Sequence, residues 1–226
     1  MKLGILFSGG KDSVFACHLA QQTDEVRCLI TLISKNKESY MFHTPNIGKC
    51  PMLAEAMGIP YLEWKTPGHE EEELGDLRDA IAHAIKEHGI EGVVTGAIES
   101  VYQATRVQRI CDELGIWCFN PIWQIDQLRY LRILIAQGFN VIISGISAYP
   151  LEKEWIGRRL DERTIEELSE LRERFSINPS GEGGEFETMV LDGPNFKKRI
   201  EVLESEVEYS NYSGTLVIRS SRLVGK

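Results

Sequence analysis

Ser8-Gly9-Gly10-Lys11-Asp12-Ser13 decides how the rest of this chain is read. Ahead of it, residues 3–7 form a short apolar run, long enough for one buried strand. Behind it, Val14, Phe15, Cys17, His18 and Leu19 recur at helical spacing. Strand, glycine-rich turn and helix therefore follow in direct succession. Such a turn aims unpaired backbone N–H groups and the positive end of a helix at whatever lies on it, which suits a phosphate. The adjacent glycines permit positive φ and close approach of a ligand to the backbone. Lys11 adds a point charge, and Ser8 and Ser13 add hydroxyl donors. The plainer alternative is a glycine turn capped by Asp12 and Ser13 at a helix start.

Two familiar phosphate loops do not fit. A Walker A loop needs glycine where Ile5 stands and Ser or Thr where Asp12 follows Lys11. The dinucleotide fingerprint fails because Gly9 and Gly10 are adjacent, with no third glycine in range.

The remainder of the chain alternates. Residues 26–33 are apolar and rich in branched side chains, as in a strand buried on both faces. Residues 48–57 read as a short helix, and 59–62 as the start of another strand. Between the 26–33 strand and that helix, His43 sits in a loop, where a histidine is more often a packing or turn residue than a catalyst, although its place after the second strand faces a ligand cleft. Residues 69–88 form a helix with Leu74, Leu77, Ile81 and Ile85 on one stripe and acidic residues in its first turn, which favour the helix dipole and solubility. Gly92-Val93-Val94-Thr95-Gly96-Ala97 is the next strand and its exit, followed by a helix over 100–114 and a short strand at 117–119. This order predicts a doubly wound, mostly parallel sheet with ligands at the C-terminal strand ends. Asn120-Pro121 interrupts it, so the expected division is an N-terminal domain over 1–122 and a smaller C-terminal α+β domain over 123–226. The second part carries helices around 128–135 and 164–175, the latter opened by a Thr164…Glu167 capping box, and a strand over 139–144. Its tail, residues 200–218, alternates apolar and polar residues as half-exposed antiparallel strands do. The four tryptophans, Trp64, Trp117, Trp123 and Trp155, read as core or domain-interface residues.

Composition narrows the function. The 226 residues are 42% hydrophobic and 26% charged, as in ordinary globular proteins. No apolar run approaches membrane-spanning length and Met1-Lys2 leads straight into a strand, so the expected compartment is the cytoplasm, with no membrane partner. A formal net charge of −9 argues against broad nucleic-acid binding. The five cysteines include no C-x-x-C pair and suit reduced, mostly buried thiols. Oligomeric state stays open, self-association included.

A second unusual stretch is Gly181-Glu182-Gly183-Gly184-Glu185-Phe186-Glu187-Thr188. Three glycines in four positions allow a tight loop, and Glu185 and Glu187 would share one face of a following strand. Two such carboxylates would hold a divalent cation or accept a proton. An acidic turn before a strand is the structural alternative.

The hexapeptide at residues 8–13 resembles the Ser-Gly-Gly-x-Asp-Ser loop of the ATP pyrophosphatases. Together with Thr95-Gly96-Ala97-Ile98 and the 181–188 stretch, it is similar to the diphthine–ammonia ligase (diphthamide synthetase) family over nearly the whole chain. That resemblance implies a Rossmann-like, HUP-type nucleotide-binding domain. It implies ATP and Mg²⁺ as cofactors and ammonia as co-substrate. The protein substrate would be translation elongation factor two bearing diphthine, a modified histidine. The implied reaction adenylates the diphthine carboxylate and displaces AMP with ammonia, giving diphthamide and pyrophosphate. Carried over residue by residue, Ser8, Gly9, Gly10, Lys11, Asp12 and Ser13 form the adenylation loop, with Asp12 as the metal-facing carboxylate. Thr95, Gly96 and Ala97 line the nucleotide. Glu185 and Glu187 serve catalysis, with Glu182, Gly183 and Gly184 on the substrate side. Tyr102, Gln103 and Arg106, on the first turns of the helix after 100, are substrate candidates, although Ser100 and Gln103 equally complete a capping box. The long single-chain members have C-terminal domains beyond the length of this sequence. The alternatives are another, tRNA-modifying ATP pyrophosphatase, or a nucleotide-binding regulatory module of the same fold. The scattered cysteines and acidic charge weigh against the first, and the intact Lys11-Asp12-Ser13 against the second. No cysteine stands at the N-terminus to act as a glutaminase nucleophile, so free ammonia is the expected nitrogen source.

Overall fold

The structure is a computed structural model that describes residues 1–34, 46–68 and 70–226. His43 and His69 lie outside the described residues. The chain divides into two compact units, the first comprising Met1–Ser8 and Asp12–Trp123, the second Gly9–Lys11 and Gln124–Lys226.

In the first unit, β1 (Lys2–Leu6), β2 (Glu25–Ser34), β3 (Tyr61–Thr66), β4 (Gly92–Val94) and β5 (Trp117–Phe119) form one sheet in the order β3-β2-β1-β4-β5. Every neighbouring pair is parallel. The helices between them are α1 (Lys11–Ala20, whose first residue counts with the second unit), α2 (Cys50–Met57), α3 (Glu70–His88) and α4 (Val101–Leu114). Alternate residues explain why β1 and β2 read as continuous apolar runs. Cys28, Ile30 and Leu32 pack with Leu77, Ala80 and Ile81 of α3 and Val107, Ile110 and Cys111 of α4. Leu3, Ile5 and Leu29 point to the other face and are equally buried. No residue of α1 or α2 belongs to the first cluster, and the right-handed crossover rule assigns them to the second face. The strand order reverses between β1 and β4, and this switch point is where an open parallel sheet leaves a crevice beyond its strand ends.

The second unit is α+β. Helices α5 (Gln127–Ala136) and α6 (Glu162–Phe175) accompany β6 (Asn140–Ile146), β7 (Phe186–Asp192), β8 (Lys198–Ser210) and β9 (Ser213–Gly225). These strands form an antiparallel sheet in the order β7-β6-β9-β8. The alternating tail becomes the long β8–β9 hairpin, closed by a two-residue turn at Asn211 and Tyr212.

Several local expectations change. Helix α6 is capped by Asp161, whose carboxylate accepts from Thr164 N at 2.8 Å, and not by Thr164. Glu167 is thereby released from a capping box and accepts both Nη groups of Arg158 at 2.6 and 2.7 Å. Trp117 is 64% exposed because β5 is an edge strand only three residues long, whereas Trp155 is buried. Glu73, read from sequence as part of a solvated acidic turn, is buried.

Candidate functional site

At the end of β1, Phe7 still pairs with β2: its N donates to Ile30 O at 2.8 Å and its carbonyl accepts from Thr31 Oγ1 at 2.7 Å. Ser8 then leaves the sheet. Its N donates to Ser13 Oγ at 3.2 Å, and the two serine hydroxyls lie 3.2 Å apart, so Ser13 ties the turn to the first turn of α1. Asp12 lies in that same turn, where a carboxylate is favoured by the helix dipole.

The exit of β4 meets this helix start. Thr95 N donates to Phe119 O at 2.9 Å, and its hydroxyl donates to Asn120 Oδ1 while accepting from Ala97 N at 3.1 Å. Gly96 is needed for space rather than for φ. A Cβ built there would lie 2.7 Å from both Asp12 C and Ser13 N. The first unit therefore brings Ser8, Asp12, Ser13, Thr95, Gly96 and Ala97 together at the switch point of its sheet. Hydroxyls, helix N–H groups and a strand exit without side-chain bulk form an arrangement that can take a phosphate.

Further along the same unit, Ser100 caps α4 by accepting from Gln103 N at 3.3 Å. Arg106 folds back, its guanidinium 3.3 Å from the centroid of the Tyr102 ring and Nη1 donating to Tyr102 O at 3.4 Å. These two candidates form a stacked cation–π pair, which pre-aligns the guanidinium plane.

In the second unit, Gly9–Lys11 is held by the 178–190 stretch. Gly9 has a φ of 77° and its carbonyl accepts from Val190 N at 3.1 Å. Lys11 N donates to Thr188 Oγ1 at 3.1 Å. The Lys11 side chain is only 3% exposed; its ammonium donates to Ser180 O and lies 5.7 Å from the Phe186 ring centroid. A buried ammonium needs such partners, because burying a bare charge is costly.

The loop that supplies Ser180 is organised by Asn178. Its Oδ1 accepts from Ser180 N at 3.1 Å, Ser180 Oγ at 2.9 Å and Glu182 N at 3.3 Å. Ser180 N also reaches Gln127 Oε1 at 3.2 Å. Gly181 combines a φ of 71° with close approach, since a Cβ there would lie 2.6 Å from Phe186 O. Any side chain at 181 would open the loop. Gly183 leaves room beside the Glu185 carboxylate, which a Cβ would approach to 2.8 Å.

Glu185 and Glu187 do not line one strand face together. Glu187 lies within β7, opposite Gly145 of β6, whereas Glu185 precedes the strand and turns its carboxylate back into the loop. Oε1 accepts from Asn178 N at 2.9 Å; Oε2 is buried with no hydrogen-bond partner among the described residues. Ser147 fastens the loop from outside, donating N–H to Glu185 O at 2.9 Å and its hydroxyl to Gly184 O.

Burial pushes the Cys17, Cys28 and Cys50 thiols each up to about 12. The Cys111 thiol, hydrogen-bonded to Cys118, is raised further while Cys118 is lowered by the same contact. Among the described residues no group of three His, Cys, Asp or Glu side chains is placed to hold a metal ion, and no helix is long and apolar enough to cross a membrane.

Sequence reasoning passed over Asn120, Asn178, Ser180 and Phe186 as participants. Both asparagines precede prolines, and an Asn-Pro pair is a turn signal whose side-chain amide is available to neighbouring donors. Ser180 acts through its backbone carbonyl, which leaves no trace in side-chain chemistry.

Comparison with known proteins adds two sequence-family matches. The diphthamide synthase N-terminal domain matches residues 1–118, and the diphthamide synthase C-terminal domain matches residues 126–224. The diphthine–ammonia ligase of Schizosaccharomyces pombe is 35% identical over 92% of this chain, which spans 37% of that protein. The diphthine–ammonia ligase of Danio rerio is 32% identical over 91% of this chain and 88% of its own length. For that of Homo sapiens the identity is 31%, over 92% of this chain and 85% of the relative.

Proposed function

The chain belongs to the diphthamide synthase family, and from that premise we propose that it is an ATP-dependent ligase that amidates diphthine with ammonia. The observation that carries the proposal is the convergence of Ser8, Asp12, Ser13 and Thr95–Ala97 at the switch point of the parallel sheet, in a chain matched by the family over both its parts.

The reaction is two transfers. A carboxylate oxygen of diphthine attacks the α-phosphorus of ATP, pyrophosphate leaves, and an acyl-adenylate forms. Ammonia then attacks the acyl carbon, AMP leaves with the acyl oxygen, and one proton is taken up by a base. Activation is needed because a carboxylate meets ammonia as a salt rather than as an electrophile. We assign nucleotide binding to residues 1–122, with the serine hydroxyls and helix N–H groups around 8–13 and the Thr95–Ala97 exit holding phosphates. Lys11 offsets charge on them, and its hold on Ser180 O links its position to the 178–188 loop. The acceptor side is assigned to residues 123–226. There Glu185 is the proposed proton acceptor from ammonia, supported by a carboxylate oxygen that is buried with no donor among the described residues. Glu187 orients the acceptor, and Tyr102, Gln103 and Arg106 meet substrate anionic groups from α4.

The donor set around Asp12, one carboxylate with the Ser8 and Ser13 hydroxyls, fits Mg²⁺ held largely by the triphosphate rather than by a cage of protein ligands. Bound there, Mg²⁺ would neutralise phosphate charge. The protein substrate we propose is elongation factor two carrying diphthine. Free ammonia is the nitrogen source, so the rate rises with pH as ammonium gives up its proton. Five unpaired cysteines fit a reducing compartment, the cytoplasm.

The test is direct. Purified protein with ATP, Mg²⁺, ¹⁵N-ammonium and diphthine-bearing elongation factor two is expected to place ¹⁵N in the acceptor as its amide. An acceptor that stays a carboxylate, or an amide that forms only with glutamine, contradicts the proposal.

A further inference from the structure

The second unit exposes aromatic rings that its core does not need. Tyr149 is 59% exposed, Tyr212 37% and Tyr209 36%. Tyr149 stands edge-to-face against two partners: Phe175, with centroids 5.5 Å apart at 87°, and Tyr212, with centroids 5.1 Å apart at 84°. Beside the edge-on ring of such a pair is a right-angled corner bounded by two π faces, both electron-rich.

Tyr212 occupies a costly position. It is the second residue of the two-residue β8–β9 turn, with a φ of 59° after Asn211 at 48°. Turns of this kind favour glycine there, because a bulky side chain is strained at positive φ. The turn is nevertheless ordered around the aromatic, with Tyr212 N donating to the Tyr209 hydroxyl at 3.3 Å. The cluster already holds one cation, since the Arg174 guanidinium lies 5.1 Å from the Phe175 ring centroid. Its place in the fold matters too. Ser147, two residues before Tyr149, makes two of the bonds that fasten the 184–185 segment of the proposed acceptor loop.

We propose that Tyr149 and Tyr212, backed by Phe175, form a quaternary-ammonium site that takes the trimethylammonium group of diphthine. The proposal rests on the amidation function argued above. A trimethylammonium group has no N–H to donate and a charge spread over methyl groups, so hydrogen-bonding residues cannot grip it. Aromatic faces can, through charge–quadrupole attraction and contact with the methyls. In diphthine this group sits on the carbon next to the carboxylate to be activated. Holding it therefore fixes the reacting oxygen. It also favours the methylated acceptor over an unmethylated amine, which keeps its water and its hydrogen bonds.

Two measurements test this on the full chain. In the first, tetramethylammonium is titrated into the wild-type protein alongside neutral tert-butanol, following the tyrosine resonances by NMR. Saturable shifts of Tyr149 and Tyr212 with the cation but not the alcohol are expected; equal response to both, or no response, overturns the site. In the second, Tyr149→Leu removes the π face at similar bulk, and Tyr149→Phe restores it. Tyr149→Leu is expected to raise KM for the diphthine-bearing acceptor about tenfold, with KM for ATP unchanged and Tyr149→Phe close to wild type. Equal acceptor KM in wild type and Tyr149→Leu overturns the proposal. Failure of the wild-type protein to amidate diphthine strikes the function proposed above instead, and the titration still decides the site.

Discussion

Lys11 shows how one side chain joins fold and chemistry. Its ammonium is buried, spends one bond on Ser180 O and faces the Phe186 ring. In the proposed site, loss of its contact with a phosphate would cost a charge-assisted interaction worth roughly 1.5–3 kcal/mol, or about tenfold to a hundredfold in rate. Lys11→Ala is thus expected to lose at least tenfold in kcat/KM while remaining folded by circular dichroism; a folded variant with wild-type turnover contradicts the role. Gly96 makes a sharper claim, because its missing Cβ would strike backbone rather than a flexible side chain. Gly96→Ala must part the β4 exit from the start of α1, and such overpacking costs about 1–3 kcal/mol. Weaker ATP binding together with a lower unfolding midpoint is the expected result. Glu185 separates charge from shape. Glu185→Gln keeps the oxygen that accepts from Asn178 N, so ATP affinity should hold while amide formation falls. An unchanged amidation rate removes Glu185 as the base.

At the scale of elements, the α6 region offers a pH test. The Arg158 guanidinium fork, with help from Arg163, holds the Glu167 carboxyl down from an ordinary 4.5 to about 2. A depressed folded value means that the stabilisation is complete above about 4.5 and is lost as pH falls through about 2. The pair is partly solvent-screened, with 36% of the Glu167 side chain exposed, so its worth is about 1 kcal/mol or less. Glu167→Gln should therefore unfold at lower denaturant than wild type at pH 7, and the gap should close by pH 2. A gap that persists at pH 2 points to packing instead of charge. This contact also marks the limit of sequence reading. Thr164 and Glu167 satisfy a capping-box spacing, but Asp161, three residues before Thr164, is the stronger acceptor and took the cap. Strong periodicities survived: the apolar run of β2, the stripe of α3 and the Leu216/Ile218 alternation of β9 are dictated by burial, which the side chains themselves encode, whereas β8 buries only Ile200 and is held by its pairing with β9. The hexapeptide and the Thr95–Ala97 exit were legible because glycine and hydroxyl residues are needed there for geometry. Lys11 bonding to the Ser180 carbonyl was not, since a backbone acceptor 169 residues away has no side-chain signature.

For the whole molecule, each unit carries a distinct share. The first has five parallel strands and a switch point lined by hydroxyls and glycine. The second has an antiparallel sheet, the Asn178-centred loop and exposed aromatics. In the proposed reaction the chain cleaves ATP between the α and β phosphates to activate a carboxylate for ammonia. The most direct measurement is the nucleotide product, read with α-labelled ATP, diphthine-bearing acceptor and ammonium, against the amount of amide formed. AMP equal to amide, with pyrophosphate as co-product and neither formed when the acceptor is omitted, is the predicted result. ADP in place of AMP, or AMP released without amide, would contradict it.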